Sequence, residues 1–192
     1  MVSAWKCFSR QGFQATTMDE IIAETGMSSS SVYRYFASKE DLIASAAEES
    51  LTGTKGALDE LKRRRPVPGP RETLTAITKA LQHQIDQPDY DLSKITVNAW
   101  AEALRQPQLH ERAYRFYRET HKSLVELSRL WQSEGLVAPD GDPTSIADLF
   151  ITLMPGMIIT RHLYRPTTAA RLAEGMHIFA GADSHWGNSE RI

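Results

Sequence analysis

The stretch that decides the fold is TMDEIIAETGMSSSSVYRYF at residues 17–36, followed by ASKEDL at residues 37–42. Its first four letters form a capping box, because Thr17 can accept a hydrogen bond from the Glu20 amide while the Glu20 side chain reaches back to the Thr17 amide. Gly26 stands where a left-handed residue commonly ends a helix. The stretch therefore begins with a short helix that is closed at both ends by its own sequence.

The segments on either side extend this helical pattern. Ser28 and Ser38 are N-caps of two further helices, of which the second is long. Upstream, a short helix over residues 3–10 is expected to stop at Gly12. Three short helices with a tight turn between the second and third form a helix-turn-helix unit. In such a unit one helix crosses the DNA backbone and the next enters the major groove.

The rest of the chain also favours helices. The tract RRRPVPGP at residues 63–70 is the clearest break, and amphipathic segments follow it. We find no turn dipeptide between alternating apolar runs, so the sequence predicts no strand. The predicted fold is all-α with about nine helices. The predicted domains are residues 1–52 for the helix-turn-helix head, 53–183 for a C-terminal ligand-binding and dimerisation domain, and 184–192 for a flexible tail.

Composition sets the class of protein. Of the 192 residues 41% are hydrophobic and 24% are charged, which is typical of soluble globular proteins. A single cysteine, Cys7, excludes an internal disulfide framework and a multi-cysteine zinc site. The longest apolar run, residues 146–160, contains Asp148 and Pro155 and is too short for a bilayer core of about 30 Å. We therefore expect a cytoplasmic protein without a membrane partner. Its net charge of −2 means that nucleic acid can bind only at a local surface.

The stretch at residues 17–42 resembles the TetR/AcrR family of transcriptional repressors. Upstream, Phe8, Gly12, Phe13 and Thr17 match the end of that family's first helix and the loop after it. The resemblance implies a homodimer with two helix-turn-helix heads that binds a pseudo-palindromic double-stranded DNA operator near the nucleoid. It also implies an unknown small-molecule effector and no cofactor.

The outward positions of the third helix, together with this resemblance, predict the DNA contacts. Small hydroxyl groups allow a helix to approach base edges, and Arg34 can contact either guanine or a phosphate. Thr17 and Lys39 lie at helix N-termini, where backbone amides favour an anion. The predicted DNA-binding residues are Thr17, Ser28, Ser29, Ser30, Ser31, Tyr33, Arg34, Tyr35 and Lys39. The apolar positions Ile21, Ile22, Met27, Val32 and Phe36 are predicted to pack inside the head.

Aromatic, methionine and histidine side chains of the C-terminal domain are candidates for an effector pocket between its helices, with ordinary core packing as the alternative. These candidates are Trp100, Tyr114, Tyr117, Trp131, Met154, Met157 and His162. The segment from Ile146 to Ile159 is apolar on nearly every side and must therefore be buried on every side. Together with the helix around Leu172, Met176 and Phe179, it predicts a two-fold, four-helix dimer interface.

Two other classes of function were weighed. The six histidines show no metal-ligand spacing and no nucleophile motif is present, so the sequence argues against an enzyme and against a metal site. A helical ligand-binding or protein-interaction module that has lost DNA binding stays open as the alternative. It is favoured by the charge of residues 1–52, which hold four Lys/Arg against seven Asp/Glu.

Overall fold

The computed structural model describes residues 1–85 and 87–182. Over these residues the chain forms nine α-helices and no strand, which confirms the predicted all-α fold. The helices are α1 (Val2–Ala15), α2 (Met18–Thr25), α3 (Ser29–Tyr35), α4 (Lys39–Arg63), α5 (Pro70–Ile85), α6 (Leu92–Ala103), α7 (Pro107–Ser133), α8 (Pro143–Leu163) and α9 (Ala169–Ala182). The predicted tail at residues 184–192 lies outside the described residues.

The predicted helix ends of the head are confirmed. The Glu20 amide donates to the Thr17 hydroxyl at 3.2 Å, and the Thr17 amide donates to the Glu20 carboxylate at 2.8 Å. Gly26 ends α2 in the left-handed conformation with φ 65°. Ser28 caps α3 by accepting from the Ser31 amide at 3.3 Å. Helices α2 and α3 therefore form the predicted helix-turn-helix.

One expectation for the head is confirmed and one was wrong. The helical backbone is interrupted at Gly12, where the stop was expected, and α1 continues to Ala15 only beyond this kink, at which Gly12 has φ 80°. That value lies in the region that glycine occupies without steric cost. Met27 was expected inside and is 45% exposed, whereas Ile21 and Val32 are buried. It lies in the turn between α2 and α3, outside both helices and away from their packed faces.

Helix α1 of the head lies along α6 of the C-terminal domain. At one end the Asp91 amide donates to the Ser9 hydroxyl at 2.9 Å, and at the other the Gln14 side chain donates to Glu102 at 3.0 Å. Because both residue numbers rise together, the two helices run parallel. Apolar side chains of both helices, including Phe8 of α1, share one buried cluster. The head is therefore seated on almost the whole length of α6.

A second core fills the C-terminal domain. It is formed mainly by α5, α7 and α8, together with the end of α4. Trp131 is fully buried at its centre, where its indole N–H donates to the Pro68 carbonyl at 2.7 Å and its ring lies 5.6 Å from that of Phe150. Helix α4 runs unbroken through Gly53 and Gly56, so one helix joins the head to this core.

Replacing Trp131 by Ala is expected to lower the free energy of unfolding by about 3–5 kcal/mol, because it leaves a cavity and an unpaired carbonyl. Tyr114→Ala is the matched control, since Tyr114 lies on the same helix and is 54% exposed. It should cost less than about 1 kcal/mol. Urea unfolding at fixed protein concentration measures both variants. Equal losses would show that Trp131 does not hold this core together.

Candidate DNA interface and interhelical cavity

Helix α3 turns a polar and aromatic side away from the core. Val32 is buried, whereas Tyr33 is 47% and Tyr35 63% exposed. Arg34 is exposed as well, and its guanidinium lies over the Tyr35 ring at 5.4 Å. This contact holds the cation on the outer side of the helix. The predicted DNA-contacting side chains of α3 are therefore accessible to a partner.

The serine run at the start of α3 forms a hydroxyl network. The Ser28 hydroxyl lies 3.1 Å from that of Ser30 and 2.9 Å from that of Ser31. Ser29 is exposed beside them. These short side chains leave the start of α3 without bulky groups that would keep the helix away from a groove floor. Their hydroxyls can both donate and accept hydrogen bonds.

Thr17 and Lys39 stand at the first turns of α2 and α4. The Thr17 hydroxyl is engaged in its capping box. The Lys39 ammonium donates to the Gln14 carbonyl at 3.1 Å, at the end of α1. An ammonium group has three N–H donors, so Lys39 can hold Gln14 and bind a phosphate at the same time.

A cavity of about 250 Å³ lies between α4, α6 and α7. Its walls are mainly small or apolar, with alanines on all three helices. Its lining residues are Ala44, Ala47, Glu48, Thr52, Lys55, Thr96, Ala99, Trp100, Leu109, Arg112, Ala113, Arg115, Phe116 and Glu119. Because small side chains face one another here, the helices leave space that larger residues would fill.

Two ion pairs join α4 to α7 at the rim of this cavity. Glu48 pairs with Arg112 at 3.3 Å, and Lys55 pairs with Glu119 at 2.5 Å. Lys55 donates a hydrogen bond to Glu119, which raises the pKa of Lys55 and lowers that of Glu119. The sign of the charge alternates along each helix, so each carboxylate faces a cation. A molecule that enters the cavity from this side would pass between these two ion pairs.

Of the predicted pocket residues, Trp100 lines the cavity. Tyr117 does not line the cavity, and its hydroxyl lies next to the Trp100 indole. Burial raises the pKa of Tyr117 to about 12, since the phenolate would have little solvation there. The Trp100 indole N–H is buried without a hydrogen bond of good geometry. These two side chains form a polar contact at the edge of an otherwise apolar wall.

The structure does not bring the other five candidates to this cavity. Tyr114 is on the surface, under the guanidinium of Arg118. Trp131 and Met154 belong to the core, and Met157 borders a separate cavity of about 30 Å³. His162 is exposed and hydrogen-bonded at the start of α6. Trp131, Met154 and Met157 are core positions, because large aromatic and sulfur-containing side chains also fill space inside a core.

Most of the cavity residues were not predicted from the sequence, although two features of the sequence point to them. Alanines on α4, α6 and α7 mark places where helices meet without filling the space between them. Glu48 and Lys55 are seven residues apart on α4, and Arg112 and Glu119 are seven apart on α7. That spacing puts each pair on one helix face, with complementary signs. Charge matching between the two helices would have located the rim.

Residues 1–85 and 87–182 also bear on metal binding and on membrane insertion. No group of three or more His, Cys, Asp or Glu side chains in these residues could hold a metal ion. Helix α8 is long and apolar enough, by length and composition alone, to cross a membrane. Core helices of soluble proteins meet the same test, and α8 packs closely against α7.

Comparison with known families agrees with both parts of this architecture. The model of bacterial regulatory proteins of the tetR family matches residues 1–46. The model of the C-terminal domain of BetI-type transcriptional repressors matches residues 70–180. The chain belongs to the TetR family of transcriptional regulators. TetR family members are DNA-binding regulators and not enzymes, which excludes the enzymatic class weighed from the sequence.

Individual proteins are similar to this chain over most of their length. The HTH-type transcriptional regulator YfiR of Bacillus subtilis is 28% identical over 155 residues, which are 79% of this chain and 72% of that protein. GusR of Salmonella enterica has a TM-score of 0.69 and 27% identity, with 91% of each chain covered. A regulator from Saccharomonospora viridis, solved in complex with choline, has a TM-score of 0.71 at 20% identity and covers 93% of this chain and 91% of its own. This last likeness concerns the fold alone.

Proposed function

We propose that this chain is a ligand-responsive transcriptional repressor that binds a pseudo-palindromic operator as a homodimer in the cytoplasm, at the nucleoid, without a cofactor. The observation that carries the proposal is one continuous helix, α4. It begins in the head at Lys39 and borders the cavity from Ala44 to Lys55. We propose residues 1–52 as the head and 53–183 as the C-terminal domain. The ranges that the two family models match support this division.

In this proposal α3 enters the major groove. The serine hydroxyls at its start approach base edges, and Arg34 contacts either a guanine or a phosphate. Tyr33 and Tyr35 present their phenols to the DNA backbone. Thr17 and Lys39 bind phosphates, because each stands at a helix N-terminus where unpaired amides and the helix dipole favour an anion.

The dimer interface in this proposal is the outer side of α8 together with α9. Ala147 and Phe150 of α8 pack inside the chain, whereas Leu149 is 42% exposed. Ile151 and Leu153 are half-buried. An apolar side left partly exposed on a long helix is typical of a surface that a second copy covers. Phe179 of the predicted interface lies outside the side chains that the structure describes.

The effector in this proposal is a small molecule with an apolar body that occupies the cavity between α4, α6 and α7. A dry cavity of about 150 Å³ holds benzene, so the 250 Å³ present here is large enough for a somewhat larger body. The charged rim suits polar substituents at one end of such a molecule. The choline complex of the Saccharomonospora viridis regulator supports a small-molecule occupant in this fold.

The switch in this proposal uses α6 as well as α4, since both helices border the cavity. On α6, Thr96, Ala99 and Trp100 line the cavity. The same helix packs against α1 of the head. A ligand that displaces α6 would move both heads away from the separation of about 34–36 Å that adjacent major grooves require. A coupling of about 1–3 kcal/mol would weaken operator binding about 5- to 150-fold.

We expect Arg34→Ala and Lys39→Ala to weaken binding to a duplex that the wild-type protein selects from a random library. Lys39→Ala should weaken all sequences alike and lower the salt slope by about one. Arg34→Ala should relax the sequence preference if its side chain contacts a base. Arg118→Ala is the control, because it removes the same charge from an exposed position on α7. Fluorescence anisotropy at several salt concentrations gives affinity and slope.

Unchanged binding by folded Arg34→Ala and Lys39→Ala variants would contradict the assigned contacts. If the wild-type protein selects no duplex at all, the alternative function is favoured instead. The chain would then be a helical ligand-binding or protein-interaction module that no longer binds DNA.

The dimer proposal predicts that Leu149→Glu produces a monomer, because a charge would be buried in the interface without a partner. Leu136→Glu is the matched control, since Leu136 is 45% exposed in the loop before α8. Sedimentation velocity at micromolar concentration should give a dimer for the wild-type and control proteins and a monomer for Leu149→Glu. A wild-type monomer at that concentration, or a dimeric Leu149→Glu variant, would overturn the proposed interface.

A further inference from the structure

Glu102, near the end of α6, is the only charged residue that is buried in the described part of the chain, with 4% of its surface exposed. Its carboxylate accepts hydrogen bonds from Gln14 at 3.0 Å, from Arg105 at 2.8 Å and from Gln106 at 2.5 Å. These contacts hold the pKa of Glu102 below its ordinary value, and the hydrogen bond from Arg105 contributes most. A buried carboxylate with three donors is fixed in position, because leaving any of its oxygens without a partner is costly.

Two of the donors come from the same turn as Glu102, but the third comes from the other domain. Gln14 lies in the last turn of α1. Its carbonyl is the group that holds the Lys39 ammonium, at 3.1 Å. Two hydrogen bonds therefore connect a buried carboxylate on α6 to the first residue of α4, which is a proposed phosphate contact.

The other polar contacts between the head and the region before α6 are weaker candidates for this role. Lys6 pairs with Asp89 at 3.0 Å, with side chains that are 31% and 63% exposed. Exposed ion pairs contribute little because water screens them. The contact between Ser9 and the Asp91 amide is neutral and lies at the opposite end of α6. Of these contacts, that of Glu102 is both buried and charged, and it reaches the end of α1 that also contacts Lys39.

We propose that Glu102 is a positioning residue for DNA binding, which acts through Gln14 to fix the end of α1 and, with it, Lys39. The inference rests on the proposed function, because it assumes that Lys39 binds phosphate. The hydrogen bonds of Glu102 and Gln14 also connect the cavity-lining helix to the head. Glu102 follows the cavity-lining Trp100 by two residues on the same helix, so a ligand that displaces this end of α6 also displaces Glu102.

A double-mutant cycle on Gln14 and Glu102 tests the proposal, with the duplex that the wild-type protein selects as the probe. We expect Glu102→Gln and Gln14→Leu each to weaken binding about tenfold, and the double variant to bind no more weakly than the worse single variant. Each should also lower the salt slope by up to about one, because Lys39 no longer meets its phosphate. A purely structural role would lower stability without changing the salt slope.

Gln106→Leu is the matched control, because Gln106 touches the same carboxylate from its own turn and not from the head. It should bind DNA within about twofold of wild type. The proposal is overturned if folded Glu102→Gln binds like wild type, if the two effects multiply, or if Gln106→Leu behaves like Gln14→Leu. Should Glu102→Gln fail to fold, Gln14→Leu carries the test, since Gln14 is on the surface. A wild-type protein that selects no duplex refutes the proposed function, and this inference with it.

Discussion

The parallel packing of α1 on α6 is the contact on which the rest of the structure depends. It joins the head and the C-terminal domain in one apolar cluster, in which Phe8 and Ile95 are both fully buried. The kink at Gly12 belongs to the same contact, because a Cβ there would lie 3.4 Å from the side-chain oxygen of Asn98 on α6. Well-packed cores move as units and do not deform continuously. The head therefore cannot change its orientation unless α6 moves or this cluster breaks.

The cavity adjoins this cluster, since Ala44, Ala99 and Leu109 belong to both, and the strengths of the contacts around it determine what a ligand can move. The ion pairs of Lys55 with Glu119 and of Glu48 with Arg112 have side chains that are 39–59% exposed. Such pairs are worth about 0–1 kcal/mol each, so they add little to the apolar packing that holds α4 on α7. The apolar α1–α6 contact is far more costly to break. In the proposed switch, a ligand that displaces α6 would therefore move the head with it.

The features that the sequence predicted well depend on residues close together in the chain. The capping box at Thr17, the left-handed Gly26 and the cap at Ser28 involve partners within three residues, and all are present. The position of Gly12 beside Asn98 of α6, more than 80 residues away in the chain, could not be predicted from the sequence. Trp131 was a pocket candidate, but its N–H reaches the Pro68 carbonyl across the fold and places it in the core.

Because α1 packs on α6, the head and α6 should move together. Hydrogen exchange of the backbone amides tests this coupling most directly. The measurement compares the protein alone with its complex with a selected operator duplex. If α6 and the head respond to DNA together, amides of residues 92–103 should exchange more slowly in the complex, as should those of α1 and α3. Slower exchange in the head alone, with α6 unchanged, would contradict the account, because the two sites would then share no moving element.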